Sequence, residues 1–184
     1  QLGRLLQESE DPLAALPVLL AARDDAERAH CDDALIDIYD RLLALAAYHP
    51  SLDLGEARAW LDLLALRVDA AGGPADADLV RHDRGLLALH REHDPGAAAR
   101  ELHAALRIQQ TTGATATRRH ADTLRLLGLV EMGRDLPAAA DYFRQARDVW
   151  AAATGPTDPL LYKLEYNLGL VAKASGDRAG ARAY

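Results

Sequence analysis

At 184 residues, with 49% hydrophobic and 27% charged side chains, the chain has the composition of a folded protein with a real core, not of a disordered or fibrous one. A formal charge of −7 argues against a general nucleic-acid binder, whose affinity rests on neutralised phosphates. A single cysteine, Cys31, leaves no intrachain disulfide and no cysteine metal cage, and no apolar run approaches the roughly 20 residues that cross a bilayer.

These features, with no basic-then-apolar leader at the start, point to a cytoplasmic protein in a reducing compartment, with no membrane and no nucleic acid among its partners. Gln1 opens the chain without a methionine, and Ala183-Tyr184 closes it without a helix stop. A piece of a longer multidomain protein is therefore expected.

Ala and Leu supply about two-fifths of the residues, while aromatics are 5% and Val and Ile are scarce. Ala and Leu lead the helix scale, and β-branched and aromatic residues lead the strand scale, so the expected class is all-α. Taken in chain order, the helical segments repeat. Residues at i, i+4 and i+7 recur as Ala15-Leu19-Ala22, Ala57-Leu61-Leu64, Ala98-Leu102-Ala105 and Ala139-Phe143-Ala146, with Ala181 starting a fifth set.

About twelve residues before each set stands a second landmark: Leu2-Gly3, Ala44-Leu45, Leu86-Leu87, Leu127-Gly128 and Leu168-Gly169. Both landmarks keep a period of about 42 residues, the signature of stacked units. Between landmark and set lies a turn of breakers, seen in His49-Pro50-Ser51, His93-Asp94-Pro95-Gly96, Gly133-Arg134-Asp135 and Ser175-Gly176-Asp177. Longer joints carry Gly72-Gly73-Pro74, Gly113 and Gly155-Pro156-Thr157-Asp158-Pro159, whereas the joint from Arg23 to Asp33 has neither Gly nor Pro.

Each unit therefore reads as a helical hairpin, with approximate bounds 1–30, 31–72, 76–112, 116–154 and 158–184. A lone hairpin cannot bury its apolar face, so neighbours stack, and the alanines let helices approach closely. The expected architecture over 1–184 is one repeat domain, an α-α superhelix of about five hairpins with the first and last incomplete.

The residues Asn167-Leu168-Gly169 followed by Gly176 and Ala181, and Leu127-Gly128 followed by Ala139, Phe143 and Ala146, resemble the tetratricopeptide repeat. The long period is similar to its kinesin-light-chain-like variant, common in bacterial signalling proteins. The second and third units carry Leu45 and Leu87 where that family has glycine. A heat-like or armadillo-like solenoid shares the repeat length; the Leu-Gly and Ala-x3-Phe features favour the tetratricopeptide reading.

The resemblance implies a non-catalytic scaffold whose first helices line a concave groove for a protein or peptide segment, or for another domain of the same chain. It places Tyr39, Leu42 and His49 in that groove, then Arg81, Arg84 and Arg91, then Asp122, Arg125, Leu129 and Met132, then Lys163, Tyr166, Asn167, Leu170 and Lys173. Arg81, Arg84, Arg125, Lys163 and Lys173 would make a basic stripe suited to an acidic or extended segment. Asn167 holds the place that hydrogen-bonds a peptide backbone in the family. The parent suggested is a bacterial kinase or transcription regulator.

No nucleophile elbow, phosphate loop, His-Glu-x-x-His or kinase motif occurs, and the chain has three serines, so neither a catalytic residue nor a cofactor is expected. His82, His90, His93 and His103, with Glu92 and Asp94, are the one cluster that a metal-dependent enzyme would use; solvent-facing histidines are the expected reading, with no metal. Cys31 reads as a passive thiol. The acid-rich stretch from Glu8 to Asp33 reads as a solubilising face. Self-association is the alternative role, through Leu2, Leu5 and Leu6 or through Leu161 and Leu164, as a homodimer.

Overall fold

The computed structural model describes residues 12–72, 76–155, 158–177 and 180–183, and the regular elements among them are all helical. After a short 3-10 turn at Pro12–Ala14 come α1 (Ala15–Arg28), α2 (Asp32–Tyr48), α3 (Leu54–Ala71), α4 (Ala77–His90), α5 (Pro95–Thr112), α6 (Arg118–Glu131), α7 (Leu136–Thr154), α8 (Pro159–Ala174) and α9 (Gly180–Ala183). The all-α expectation holds. No helix among the described residues is long and apolar enough to cross a membrane.

Four second helices, α3, α5, α7 and α9, start in one way, whereas α1 has Ala14 at its cap and no side-chain cap bond. Asp53 accepts a hydrogen bond from the Glu56 N–H at 2.8 Å, Asp94 from Ala97 at 2.8 Å, Asp135 from Ala138 at 3.0 Å and Asp177 from Gly180 at 2.9 Å. A carboxylate at the cap satisfies an orphan N–H and sits at the positive end of the helix dipole. These aspartates recur about every 41 residues, so the repeat is punctuated by its caps as well as by its core.

The helix ends explain the joint without glycine. Cys31 N–H donates to Ala26 O at 3.0 Å, closing α1 with a left-handed residue that here is His30, at φ 52°. Gly113, at φ 74°, serves the same purpose after α5, with Ala114 N–H on Gln109 O at 2.8 Å. His93, in the turn after α4, is a second non-glycine residue with positive φ.

The chain divides into two compact units, Gln1–Ala97 and Ala98–Tyr184, the boundary falling within α5. In the first, α2 packs against α1, α3 and α4, and α3 packs against α4. The core there is Leu35, Leu42, Leu43, Ala46, Ala57, Trp60, Leu61 and Leu64. The second has α7 between α6 and α8, with α9 against α8. Its core joins Leu124 of α6, Ala139, Phe143 and Ala146 of α7, and Leu161, Leu164, Leu168 and Val171 of α8.

Burial of Leu161 and Leu164 corrects the idea that they form an apolar end available for dimerisation: both face Phe143 and its neighbours in this core. Leu2, Leu5 and Leu6, like Gly73-Pro74 and Pro156-Thr157, lie outside the described residues.

Candidate functional site

Binding in an all-helical array needs side chains left over once packing, caps and ion pairs are satisfied. The first helices supply the candidates, and in the first unit several are already spent. Tyr39 is fully buried, and its hydroxyl donates to Glu27 Oε1 at 3.1 Å. Burial holds the phenol above its ordinary range, and the Glu27 carboxylate adds to the effect. Leu42 is fully buried as well. The groove expectation for Tyr39 and Leu42 is thus corrected: α2 is apolar almost all round, carrying Leu35, Ile36, Ile38, Leu42 and Leu43, and such a helix belongs inside.

Arg91 is likewise committed. Its guanidinium donates to Ala46 O, to Leu52 O at 2.6 Å and to His49 O at 3.5 Å. Those carbonyls lie in the last turn of α2 and in the loop after it, where the end of a helix leaves acceptors short of N–H partners, although His49 O also accepts the Leu52 N–H at 3.1 Å. A planar fork of donors suits them, so Arg91 ties the turn after α4 to the end of α2 rather than offering a cation to a ligand. Arg81 is exposed on α4, and Arg84 is half-buried there.

In the second unit Arg125 is half-buried, its Nε 2.6 Å from Asp122 Oδ1. That i, i+3 pair offsets the cation that the basic stripe assigned to this helix. On α8 the picture differs. Lys163, Tyr166 and Lys173 are exposed, and Asn167 is half-buried beside them. Tyr162, which sequence reasoning passed over, is the most exposed large hydrophobic side chain described, at 78%, and Tyr166 follows at 65%. The i, i+4 spacing of the two rings is visible in the sequence; their exposure is not.

The histidines do not converge. His82 is buried, which corrects the solvent-facing reading for that residue. His90 packs tilted against Tyr48 with ring centroids 4.7 Å apart, His93 sits exposed in the turn, and His103 in the second unit tilts toward Tyr142 at 6.4 Å. Among the described residues no group of three or more His, Cys, Asp or Glu is placed to hold a metal ion. Cys31 is exposed at the start of α2.

One polar cluster escaped the sequence reading. Gln109 of α5 and His120 and Thr123 of α6 are buried together. Gln109 Nε2 donates to Thr123 Oγ1 at 3.1 Å, and Thr123 Oγ1 donates to Arg119 O at 2.9 Å. That orientation leaves Gln109 Oε1 as the acceptor for His120 Nδ1 at 2.9 Å, so the imidazole carries its proton on Nδ1. A satisfied buried network of this kind fixes how two helices register.

No protein-family model matches the chain, and no curated protein matches it in sequence. Among solved structures it is similar to BtubC (BKLC) from P. vanneervenii, at 23% identity and a TM-score of 0.65, over 99% of this chain and 73% of that one. At this identity the likeness shows the fold alone: the chain is built as a tetratricopeptide-like helical-repeat solenoid.

Proposed function

We propose that the chain is a non-catalytic interaction scaffold that binds an acidic segment of a protein partner, as part of a bacterial signalling or regulatory protein. The observation that carries this reading is the outer face of α8, where Lys163, Tyr166 and Lys173 are exposed together with Asn167 alongside. They include both lysines of a chain whose net charge is −7. Arg125 of α6, in the same unit, is proposed to contribute beside its Asp122 partner, and Arg81 and Arg84 of α4 are proposed as cations of the first unit's own surface. Cations on a helical face attract carboxylates, and aromatic rings add apolar contact at low entropic cost.

The test is binding of a fluorescent acidic peptide library at low and high salt. Salt-sensitive binding by the wild type that weakens about tenfold in Lys163→Glu/Lys173→Glu, and further when Arg125→Glu is added, is the expected result. Folded protein that binds no acidic peptide at low salt overturns the reading.

A further inference from the structure

One side of α3 carries apolar residues where the matching helices of other units carry polar ones. With Ala57, Ala98 and Ala139 aligned, Leu66 of α3 corresponds to Arg107 of α5 and Asp148 of α7, and Leu63 to Ala104 and Gln145. Ala59 likewise corresponds to Arg100 and Asp141. The opposite side of α3 buries Ala57, Trp60, Leu61, Leu64 and Val68, so the core is filled without either leucine. The helices before and after it in the chain, α2 and α4, both pack against α3, and in their presence Leu66 is 62% exposed and Leu63 37%. A single leucine in solvent is ordinary, but Ala59, Leu63, Leu66 and Ala70 are all exposed at i, i+4, i+7 and i+11, which makes one continuous stripe.

We infer that this stripe docks an amphipathic helix of a partner protein whose apolar face is bordered by lysine or arginine. It is a second binding surface, on other residues than α8 and for the opposite charge. Its four positions run about 16 Å along the axis and follow the i, i+3 and i, i+4 ridges that helices use to pack on one another. Alanine at both ends and leucine in the middle let a second helix come close and interdigitate. An extended strand would place alternate side chains away from such a ridge.

Charge selects the partner. By helical spacing Asp62 and Asp69 border the stripe on one side and Glu56 on the other, and all three are exposed. The cations of α3 are committed elsewhere: Arg58 pairs with Glu92 at 2.7 Å and Arg67 with Asp32 at 2.7 Å. Carboxylates therefore set the sign of the border. A second copy of this chain would bring them against their own counterparts, between molecules of net charge −7 each. A basic helix meets them with opposite charge.

The experiment uses the whole chain and three labelled 20-residue peptides: an amphipathic Leu/Lys helix, the same residues scrambled to remove the 3.6-residue period, and the helix with Gln replacing Lys. The Leu/Lys helix is expected to bind at least tenfold more tightly than either other peptide. Leu63→Ser/Leu66→Ser should remove that preference with circular dichroism unchanged, and Leu66→Lys, at the more exposed position, should do so alone. Asp62→Asn/Asp69→Asn should weaken binding about tenfold and flatten its salt dependence, whereas Asp141→Asn/Asp148→Asn, the same loss of charge on α7, should leave it unchanged.

Equal binding of the scrambled peptide, equal binding of the Gln helix, or equal weakening by the α3 and α7 charge variants overturns the proposal, as does folded wild type that binds no basic peptide. A wild-type dimer that Leu66→Lys converts to monomer assigns the stripe to a second copy and overturns it too. Each of these results leaves the acidic-segment reading of α8 standing, since that reading is tested with peptides of opposite charge and with Lys163 and Lys173.

Discussion

Gly128 of α6 lies flat against the ring of Phe143 in α7: a Cβ built on Gly128 would stand 2.6 Å from Phe143 Cε1 and within 2.9 Å of two further ring carbons. Phe143 is fully buried, so the ring has nowhere to go. Alanine would gain about 1 kcal/mol of helix propensity over glycine, yet overpacking costs typically about 1–3 kcal/mol. Gly128→Ala should therefore lower stability. The other repeats suggest the remedy, for the position of Phe143 is Leu61 or Leu102 where that of Gly128 is Leu45 or Leu87. In Gly128→Ala/Phe143→Leu the loss should be smaller than the sum of the two single losses by about 1 kcal/mol, read from urea denaturation of all four proteins. Simple additivity would refute the size matching.

Arg91 makes a second prediction. Its guanidinium satisfies carbonyls of Ala46, His49 and Leu52; His49 O also accepts the Leu52 N–H, so Arg91→Ala would strand those of Ala46 and Leu52 in a part-buried place. The expected loss is about 1–3 kcal/mol in denaturant melts. Lysine carries the same charge but cannot reach several acceptors in one plane, so Arg91→Lys should recover less than half of it. Full recovery by lysine would show that charge at the end of α2 matters, and not the fork.

The helical hairpins are legible in the sequence because Ala57-Leu61-Leu64 and its counterparts repeat against a regular spacing of breakers. The helix starts are legible too, once Asp53, Asp94, Asp135 and Asp177 are seen as caps. Side-chain fate is harder to read. Tyr39 occupies the same place in its helix as the exposed Lys163, and it is buried because α2 is packed against three helices, whereas among the described residues α8 packs against α7 and α9. Asp122 beside Arg125 could have been recognised at i, i+3. The cluster of Gln109, His120 and Thr123 could not, because polar residues on separate helices look solvated until those helices are known to stack.

That cluster predicts a large effect from a near-isosteric change. Thr123→Val keeps the shape but removes the acceptor for Gln109 Nε2, leaving a buried amide hydrogen without its partner. About 1–3 kcal/mol should be lost. Adding Gln109→Leu removes the stranded amide but leaves the buried His120 Nδ1–H without its acceptor, so the double variant should stay below wild type by a similar amount. Melting temperatures of the single and double variants decide the matter; a double variant worse than the sum would show that His120 depends on Gln109 more than Gln109 does on Thr123.

His30 offers the opposite sign. At φ 52° it pays for a left-handed backbone that glycine adopts freely, at a cost to an L-residue of about 1–2 kcal/mol. His30 is exposed. His30→Gly should therefore stabilise the protein by about 1 kcal/mol in thermal or urea melts, and His30→Val should destabilise it. Equal stability of the glycine and valine variants would mean that the turn after α1 does not hold this conformation in solution.

Acid should weaken the start of α8 through Asp158. Its carboxylate accepts the Leu160 N–H at 2.9 Å, and that bond, foremost among its surroundings, holds the carboxyl below the usual carboxylate range. A depressed folded-state value means that the unfolded chain takes up the proton first. The contribution is thus whole above about pH 4, where the unfolded carboxyl ionises, and is lost as pH falls through the lower folded value. Asparagine keeps a cap acceptor but has no proton to bind. Between pH 5 and pH 2.5 the stability advantage of wild type over Asp158→Asn should shrink toward zero, followed by urea melts at several pH values. A constant difference across that range would show that the cap does not sense ionisation.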